Sequence, residues 1–78
     1  MSVDFLNRLE TLDYLISIKS TGSPEQLANK LRISRRSVYE YINLLKQLDA
    51  PIAFSRDRNT FYYTEDGNFK FRFYKVKK

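Results

Sequence analysis

Residues 34–46 carry a run of side chains that can exchange hydrogen bonds with a partner. Projected as a helix at about 100° per residue, they form a polar face opposite an apolar one. The polar residues are Ser34, Arg35, Arg36, Ser37, Tyr39, Glu40, Asn43 and Lys46. Arginine and asparagine bind guanine and adenine edges through paired hydrogen bonds, whereas serine, tyrosine and lysine suit phosphate oxygens. This chemistry indicates the major groove of double-stranded DNA, which is wide enough to admit a helix.

Within this face, Arg36 and Asn43 are the candidates for contacts to bases, and the flanking residues are the candidates for contacts to phosphates. Glu40 fits less well, and it either accepts a hydrogen bond from cytosine or pairs with a neighbouring arginine. Arg35 and Arg36 stand at a helix start, where the helix dipole disfavours each cation by about 0.3–1 kcal/mol. That placement favours a binding role over the alternative, which is an ordinary solvated helix surface.

Three helices are predicted, over about residues 3–20, 24–31 and 35–48. The first should end at Thr21-Gly22, because glycine accepts a left-handed backbone. The second begins with a capping box at Ser23-Pro24-Glu25-Gln26. The third begins at Ser34 and closes at Asp49-Ala50-Pro51, because proline cannot continue a helix. The apolar stripes that predict the first and third helices are Phe5, Leu9, Leu12 and Ile16, and Val38, Tyr41, Ile42, Leu45 and Leu48.

After Pro51 the apolar period shortens to two residues, which predicts strands at about 52–55, 60–64 and 69–74. Arg56 and Arg58 lie in the first turn and are candidates for contact with a minor groove or the flanking backbone. The alternative for them is a polar hairpin turn. The predicted fold class is therefore α+β: a small winged helix-turn-helix of three helices and a two- or three-stranded antiparallel sheet, in a single domain of residues 1–78.

Composition narrows the possible functions. The 78 residues include neither cysteine nor histidine and only two glycines. The commonest nucleophile, general base and metal ligand are thus missing, and so is a glycine-rich phosphate loop. We expect no enzyme activity, cofactor, metal or small-molecule substrate. The sequence lacks a long apolar run and a signal-peptide pattern, so we expect no membrane partner and a cytoplasmic location.

The charge distribution points to a polyanionic partner. The chain carries a net charge of +5, and residues 1–29 hold two basic against four acidic side chains. The rest of the chain holds twelve basic against five acidic side chains. This asymmetry indicates nucleic acid first and an anionic lipid surface second.

The segment from Ser23 to Ile42, with its Leu-Ala and Ile-Ser-Arg-Arg-Ser-Val-Tyr stretches, resembles winged helix-turn-helix modules of bacterial transcriptional regulators. The similar modules are those of biotin-operon-type and deoxyribose-operon-type repressors, and the resemblance covers about residues 5–64. It implies that Ser34 to Tyr39 begin the recognition helix and that residues 52–63 form the wing. It also implies sequence-specific DNA binding. The sequence departs from the family at Arg32 and Asp49, where glycine is usual.

Two other functions stay open. A winged helix can serve as a protein–protein interaction module without binding DNA, and RNA binding would fit the mixture of basic and aromatic residues near the C-terminus. Tyr14 and Ile18 project from the outer side of the first helix, where a monomer does not need them. They are either incidental or part of a homodimer interface, through this helix or the last strand, which would place two copies on two DNA half-sites.

Overall fold

The computed structural model describes the backbone of residues 3–67 and the side chains of residues 4–67. Three helices precede an antiparallel hairpin, and the predicted small winged helix-turn-helix fold is confirmed. The elements are α1 (Val3–Ser17), α2 (Pro24–Leu31), α3 (Arg35–Gln47), β1 (Ile52–Ser55) and β2 (Thr60–Tyr63). The expected third strand, at about 69–74, lies outside the described residues. Within the described part of the chain, every helix is too short or too polar to cross a lipid bilayer.

Each helix ends on a residue that adopts the left-handed backbone although it is not glycine. These residues are Lys19, Arg32 and Asp49, with φ of 57°, 57° and 70°. At the end of α1, for example, the Ser20 N–H donates to the Leu15 carbonyl at 2.9 Å, and the Lys19 N–H donates to the Ile16 carbonyl at 3.1 Å. The same pair of bonds recurs after α2 and α3, so all three ends are Schellman motifs.

The predicted end of α1 was wrong, and the Schellman motif shows where the helix ends instead. The sequence predicted that the helix would continue to about residue 20 and stop at Thr21-Gly22, but it stops at Ser17. Gly22 does have a left-handed backbone, with φ of 73°. It acts at the start of α2, where a Cβ atom on Gly22 would lie 2.6 Å from Oε1 of Gln26. The left-handed backbone and the close approach of the capping side chain together favour glycine at this position.

The start of α2 is the predicted capping box. The Gln26 N–H donates to Oγ of Ser23 at 3.2 Å, and the Ser23 N–H donates to Oε1 of Gln26 at 2.8 Å. Pro24 occupies the first helical position, where its missing N–H costs nothing. The two bonds satisfy N–H groups that the helix itself leaves without partners.

One contiguous core joins the helices to the hairpin. It collects one face of each helix and one side chain of β2, and consists of Leu9, Leu12, Ile16, Leu27, Ala28, Leu31, Val38, Ile42, Leu45, Ala50 and Phe61. The predicted core position Leu48 is instead 52% exposed. Leu48 is the residue at which α3 leaves its helical path, with φ of −93° and ψ of 21°, so its side chain no longer follows the buried stripe.

The hairpin is joined to the rest of the domain by two buried threonines. The β-strands pair antiparallel, with Ser55 opposite Thr60 and Ile52 opposite Tyr63. Thr21, between α1 and α2, donates its N–H to Oγ1 of Thr60 at 3.1 Å, and its own Oγ1 accepts the Phe61 N–H at 2.8 Å. Both threonine side chains are almost fully buried. These bonds fix the wing against the loop that leads into α2.

Tyr63, at the end of β2, makes a second link between the wing and α1. Its hydroxyl donates to Oδ1 of Asp13 at 2.6 Å. Partial burial, together with this hydrogen bond to a carboxylate, raises the pKa of Tyr63 well above its usual value. The phenol is therefore held in its neutral form, as a donor to Asp13.

Candidate nucleic-acid interface

The first turn of α3 is fixed by its own serines. Ser34 is the N-cap, and its Oγ accepts the Ser37 N–H at 3.0 Å. The Ser34 hydroxyl also donates to Oγ of Ser37 at 3.0 Å. Both hydroxyls are thus engaged in starting the helix. They remain close enough to solvent to contact a ligand, because Ser34 is exposed and Ser37 is half-buried.

Arg35 pairs with a carboxylate of the preceding helix. Its Nη1 lies 2.7 Å from Oε1 of Glu25, in the first turn of α2. The hydrogen bond from Arg35 holds the pKa of Glu25 below its usual value, and the same bond raises the pKa of Arg35. Both side chains are more than half exposed, so the pair is open to competition from another anion.

Arg36 is the most accessible cation at the start of α3. Its side chain is 90% exposed, and its Nε lies 3.3 Å from Oε1 of Glu40, one turn further along the helix. The sequence left two roles open for Glu40, and in this structure it pairs with Arg36. An exposed pair at this spacing contributes only about 0.3–0.5 kcal/mol, so a ligand that binds Arg36 better can displace it.

The remaining polar side chains share the solvent-facing side of α3. The opposite side is buried through Val38, Ile42 and Leu45. Tyr41, predicted to be part of that stripe, is half-buried and packs its ring 5.3 Å from the ring of Phe5. The exposed set consists of Tyr39, Glu40, Asn43, Lys46 and Gln47. The structure thus brings the predicted α3 residues to one accessible face.

The wing turn carries Arg56 and Arg58 as exposed side chains. The turn is closed by the Arg58 N–H, which donates to Oγ of Ser55 at 3.2 Å, and by Asn59 in the left-handed region with φ of 52°. Among the described residues, no carboxylate lies within ion-pair distance of either arginine. Both guanidinium groups are therefore available to an anionic partner.

The first turn of α2 lies between the start of α3 and the wing turn. On one side Glu25 contacts Arg35, and on the other Oε1 of Gln26 accepts a hydrogen bond from Nδ2 of Asn59 at 2.9 Å. The two groups of predicted site residues, in α3 and in the wing, are thus linked through α2. A contiguous surface with basic residues at both ends results.

The sequence did not predict which residues connect α2 to α3 and to the wing turn. Glu25 and Gln26 were recognised only as helix-capping residues, and Asn59 only as part of a turn. The local sequence shows nothing of their second roles, because their partners are 10 and 33 residues away. For Asn59, the residue type itself was the one available indication of a special role, because asparagine at the end of a turn tolerates a left-handed backbone.

The described residues contain no group of three or more histidine, cysteine, aspartate or glutamate side chains that could hold a metal ion. The arrangement consists of hydrogen-bond donors, cations and a few acceptors on an exposed surface. A surface of this composition can bind an extended anion.

Comparison with known proteins agrees with this geometry. The sequence profile of a family described as "HTH domain" matches residues 7–63. Searches among curated proteins and among solved structures gave no significant match. Because the profile spans most of the chain, including all of α2, α3 and the hairpin, the protein belongs to this helix-turn-helix family, whose members bind DNA.

Proposed function

We propose that this helix-turn-helix protein is a cytoplasmic transcriptional regulator of bacterial type that binds a specific sequence in double-stranded DNA. The observation that carries the proposal is the exposed polar face of α3, flanked through α2 by an arginine-bearing wing turn. The resemblance to biotin-operon-type and deoxyribose-operon-type regulators supports the same conclusion. In helix-turn-helix proteins the second helix of the pair enters the major groove with its N-terminal residues at the base edges.

In this proposal Arg36 and Asn43 read base edges in the major groove. Arg36 extends from the first turn into solvent, and a guanine offers it two acceptors in place of the single carboxylate oxygen of Glu40. Once released, Glu40 is free to accept a hydrogen bond from a cytosine amino group. Asn43 lies two turns along the same face and has the paired donor and acceptor that match adenine.

The other side chains position the duplex. Phosphate oxygens are the proposed partners of Ser34, Arg35, Ser37, Tyr39 and Lys46. Arg56 and Arg58 hold the flanking duplex, through the minor groove or its phosphates. Arg35 reaches a phosphate only by leaving Glu25, so its contribution to affinity is smaller than that of an unpaired cation.

Fluorescence anisotropy with a random duplex, at about 50–200 mM salt, tests binding itself. Each phosphate that the protein neutralises contributes about −0.9 to the slope of log K against log salt. We expect a slope of several units. As a control for the effect of net charge, Arg32→Gln removes one positive charge in the turn between α2 and α3, and it should leave the salt slope unchanged. Absence of binding at the lowest salt would overturn the proposal.

Specific recognition needs a second experiment, on a duplex chosen by selection from random sequences. Arg36→Ala and Asn43→Ala should each cost about 1–3 kcal/mol and relax the preference at one base pair. Lys46→Ala should weaken binding to all sequences alike and reduce the salt slope by about 1. If all three variants behave alike, α3 does not read sequence.

A second candidate function is a protein-interaction module, and one observation favours it. Tyr14 and Ile18 lie one turn apart at the end of α1 and are 62% and 47% exposed. Such a module would bind a protein partner through this pair without binding DNA directly. In the DNA-binding proposal the same pair is a candidate homodimer contact, because a dimer would place two recognition helices on two half-sites. Sedimentation equilibrium of the protein and of the Tyr14→Ser/Ile18→Ser variant decides this. A monomer that binds no DNA would favour a different protein partner.

A further inference from the structure

A shallow open cleft lies between the end of α1, the outer side of α2 and the wing turn. Its volume is about 560 Å³, large enough to admit a phosphodiester group with its hydration shell. Three cations and three amides line it: Lys19, Lys30, Arg58, Gln26, Asn29 and Asn59. No acidic residue is part of the lining. Neither Lys19 nor Lys30 is among the site residues predicted from the sequence.

The charges in this cleft differ from those on α3 in one respect. Arg35 and Arg36 are each paired with a glutamate. Among the described residues, no carboxylate lies within ion-pair distance of Lys19, Lys30 or Arg58. An anion that enters the cleft therefore meets three cations without first displacing a carboxylate.

The cleft is also held in shape by bonds that need no ligand. Nζ of Lys30 donates to the Ser20 carbonyl at 2.8 Å, which holds the lysine over the loop after α1. Lys19 is fixed in the left-handed region by the Schellman motif that ends α1. The hydrogen bond between Asn59 and Gln26 closes the wing side of the cleft.

The position of the cleft relative to α3 identifies its partner. Glu25 contacts Arg35 of α3, whereas Gln26 and Lys30 of the same helix line the cleft. A duplex whose major groove holds α3 carries a sugar–phosphate strand along each edge of that groove, and the first helix of a helix-turn-helix pair, here α2, crosses that backbone. The wing turn borders the cleft through Arg58 and Asn59.

We infer that this cleft is a second DNA-contact site, which binds backbone phosphates beside the groove occupied by α3, through Lys19 and Lys30. The inference rests on the proposed function and extends its footprint. Each lysine neutralises about one phosphate and so contributes about −0.9 to the salt slope. The contacts carry no base preference, because phosphates are the same at every position.

The test compares Lys19→Gln and Lys30→Gln with Arg32→Gln, which removes the same charge from an exposed side chain that follows α2 and is not part of the cleft lining. We expect each lysine variant to reduce the salt slope by about 0.9, so that its affinity changes about three- to fourfold less than that of the unaltered protein between about 50 and 200 mM salt. Arg32→Gln should leave the slope unchanged. Thermal unfolding of all three variants checks that they are folded.

The outcomes separate the two proposals. If the unaltered protein binds no DNA, the proposed function fails. If it binds DNA and both lysine variants match Arg32→Gln, the cleft inference fails and the function of α3 stands. Backbone NMR spectra supply an independent measurement: duplex DNA should shift the amide signals of Lys19, Gln26 and Asn29. If inorganic phosphate at the same ionic strength shifts these signals equally, the cleft is a site for free anions and the inference is overturned.

Discussion

Replacing Arg32 by glycine should stabilise the protein. Arg32 follows α2 with φ of 57° and ψ of 45°, and the Ile33 N–H bonds to the Ala28 carbonyl at 3.0 Å around it. The backbone must keep this conformation for α3 to leave α2 at the observed angle. The Arg32 side chain is exposed and makes no hydrogen bond or ion pair with any described residue. Its removal therefore breaks no contact within the part of the chain that the structure describes.

The size of the effect follows from two opposing free energies. A side chain in the left-handed region costs about 1–2 kcal/mol, because Cβ approaches the following carbonyl oxygen. Glycine avoids that cost but gives the unfolded chain more freedom, which disfavours folding by about 0.4–1 kcal/mol. The difference predicts that Arg32→Gly raises the free energy of unfolding by about 0.5–1 kcal/mol. For a domain of this size the melting temperature should rise by about 2–8 °C.

Urea unfolding followed by circular dichroism measures this difference, and Arg32→Ala is the necessary control. Alanine removes the same charge and the same side-chain atoms but retains Cβ, so it should gain none of the stability. Asn29→Gly, at an exposed position inside α2, should lose a few tenths of a kcal/mol, because glycine is a poorer helix former than asparagine. Together the two controls separate the backbone effect from the charge and from glycine itself.

One result would refute the reasoning. If Arg32→Gly and Arg32→Ala have the same free energy of unfolding, the left-handed backbone at residue 32 carries no cost. The gain attributed to glycine would then be zero, and the turn would follow a different path in solution. The salt slope of DNA binding should stay unchanged in Arg32→Gly, because Arg32 belongs neither to the residues proposed to contact DNA on α3 and the wing nor to the cleft lining.

Three further predictions follow from individual contacts. Glu25→Gln removes the carboxylate that occupies Arg35 and should tighten binding to a random duplex by about two- to fivefold, measured by anisotropy; an unchanged affinity in this variant would mean that Arg35 contacts no phosphate. The raised pKa of Tyr63 means that the unfolded chain releases the phenol proton first, above about pH 10, so stability falls as the pH rises beyond that point. Urea unfolding at a series of pH values should show a smaller fall in Tyr63→Phe, which also loses the hydrogen bond to Asp13; equal falls would contradict the role of this phenol. Thr60→Val leaves a buried N–H without its acceptor and should cost about 1–3 kcal/mol of unfolding free energy, whereas Thr60→Ser keeps the acceptor and should cost less.

The sequence predicted those features that depend on neighbours along the chain. The capping box of Ser23 and Gln26 spans four residues, and the structure shows both of its hydrogen bonds. The hairpin between β1 and β2 follows equally from local alternation. The polar and apolar faces of α3 were predicted from helical period alone. Each of these is a short-range property that the fold does not override.

The helix ends were harder to predict from the sequence, because a residue other than glycine does not by its type indicate a left-handed backbone. The sequence predicted that α1 would end at Gly22, but the helix ends at Ser17, and Lys19 takes the left-handed position of the Schellman motif that follows. Leu48 looked buried, because the helical projection assumes that α3 continues beyond Gln47. Both errors arise where the chain leaves a helix.

The site was predictable only as a set of residue types. Whether Arg35 is free or paired depends on how α2 crosses α3, and the Glu25 contact joins two helices. The sequence did not predict a cleft lined by Lys19 and Lys30, because these lysines lie in different parts of the chain. They become neighbours of Arg58 only in the folded structure. The spacing of residues along the chain does not predict such tertiary contacts.

The first turn of α2 couples the stability of the fold to the geometry of the proposed interface. Oε1 of Gln26 accepts the Ser23 N–H at 2.8 Å and Nδ2 of Asn59 at 2.9 Å. The same oxygen thus starts the helix and holds the wing turn. The wing is also held at Thr60 and Tyr63, so side-chain hydrogen bonds at three of its residues fix it against the helices and the loop between α1 and α2. Because α2 also packs against α3 in the shared core, α2 helps to set the distance between the exposed face of α3 and the wing arginines.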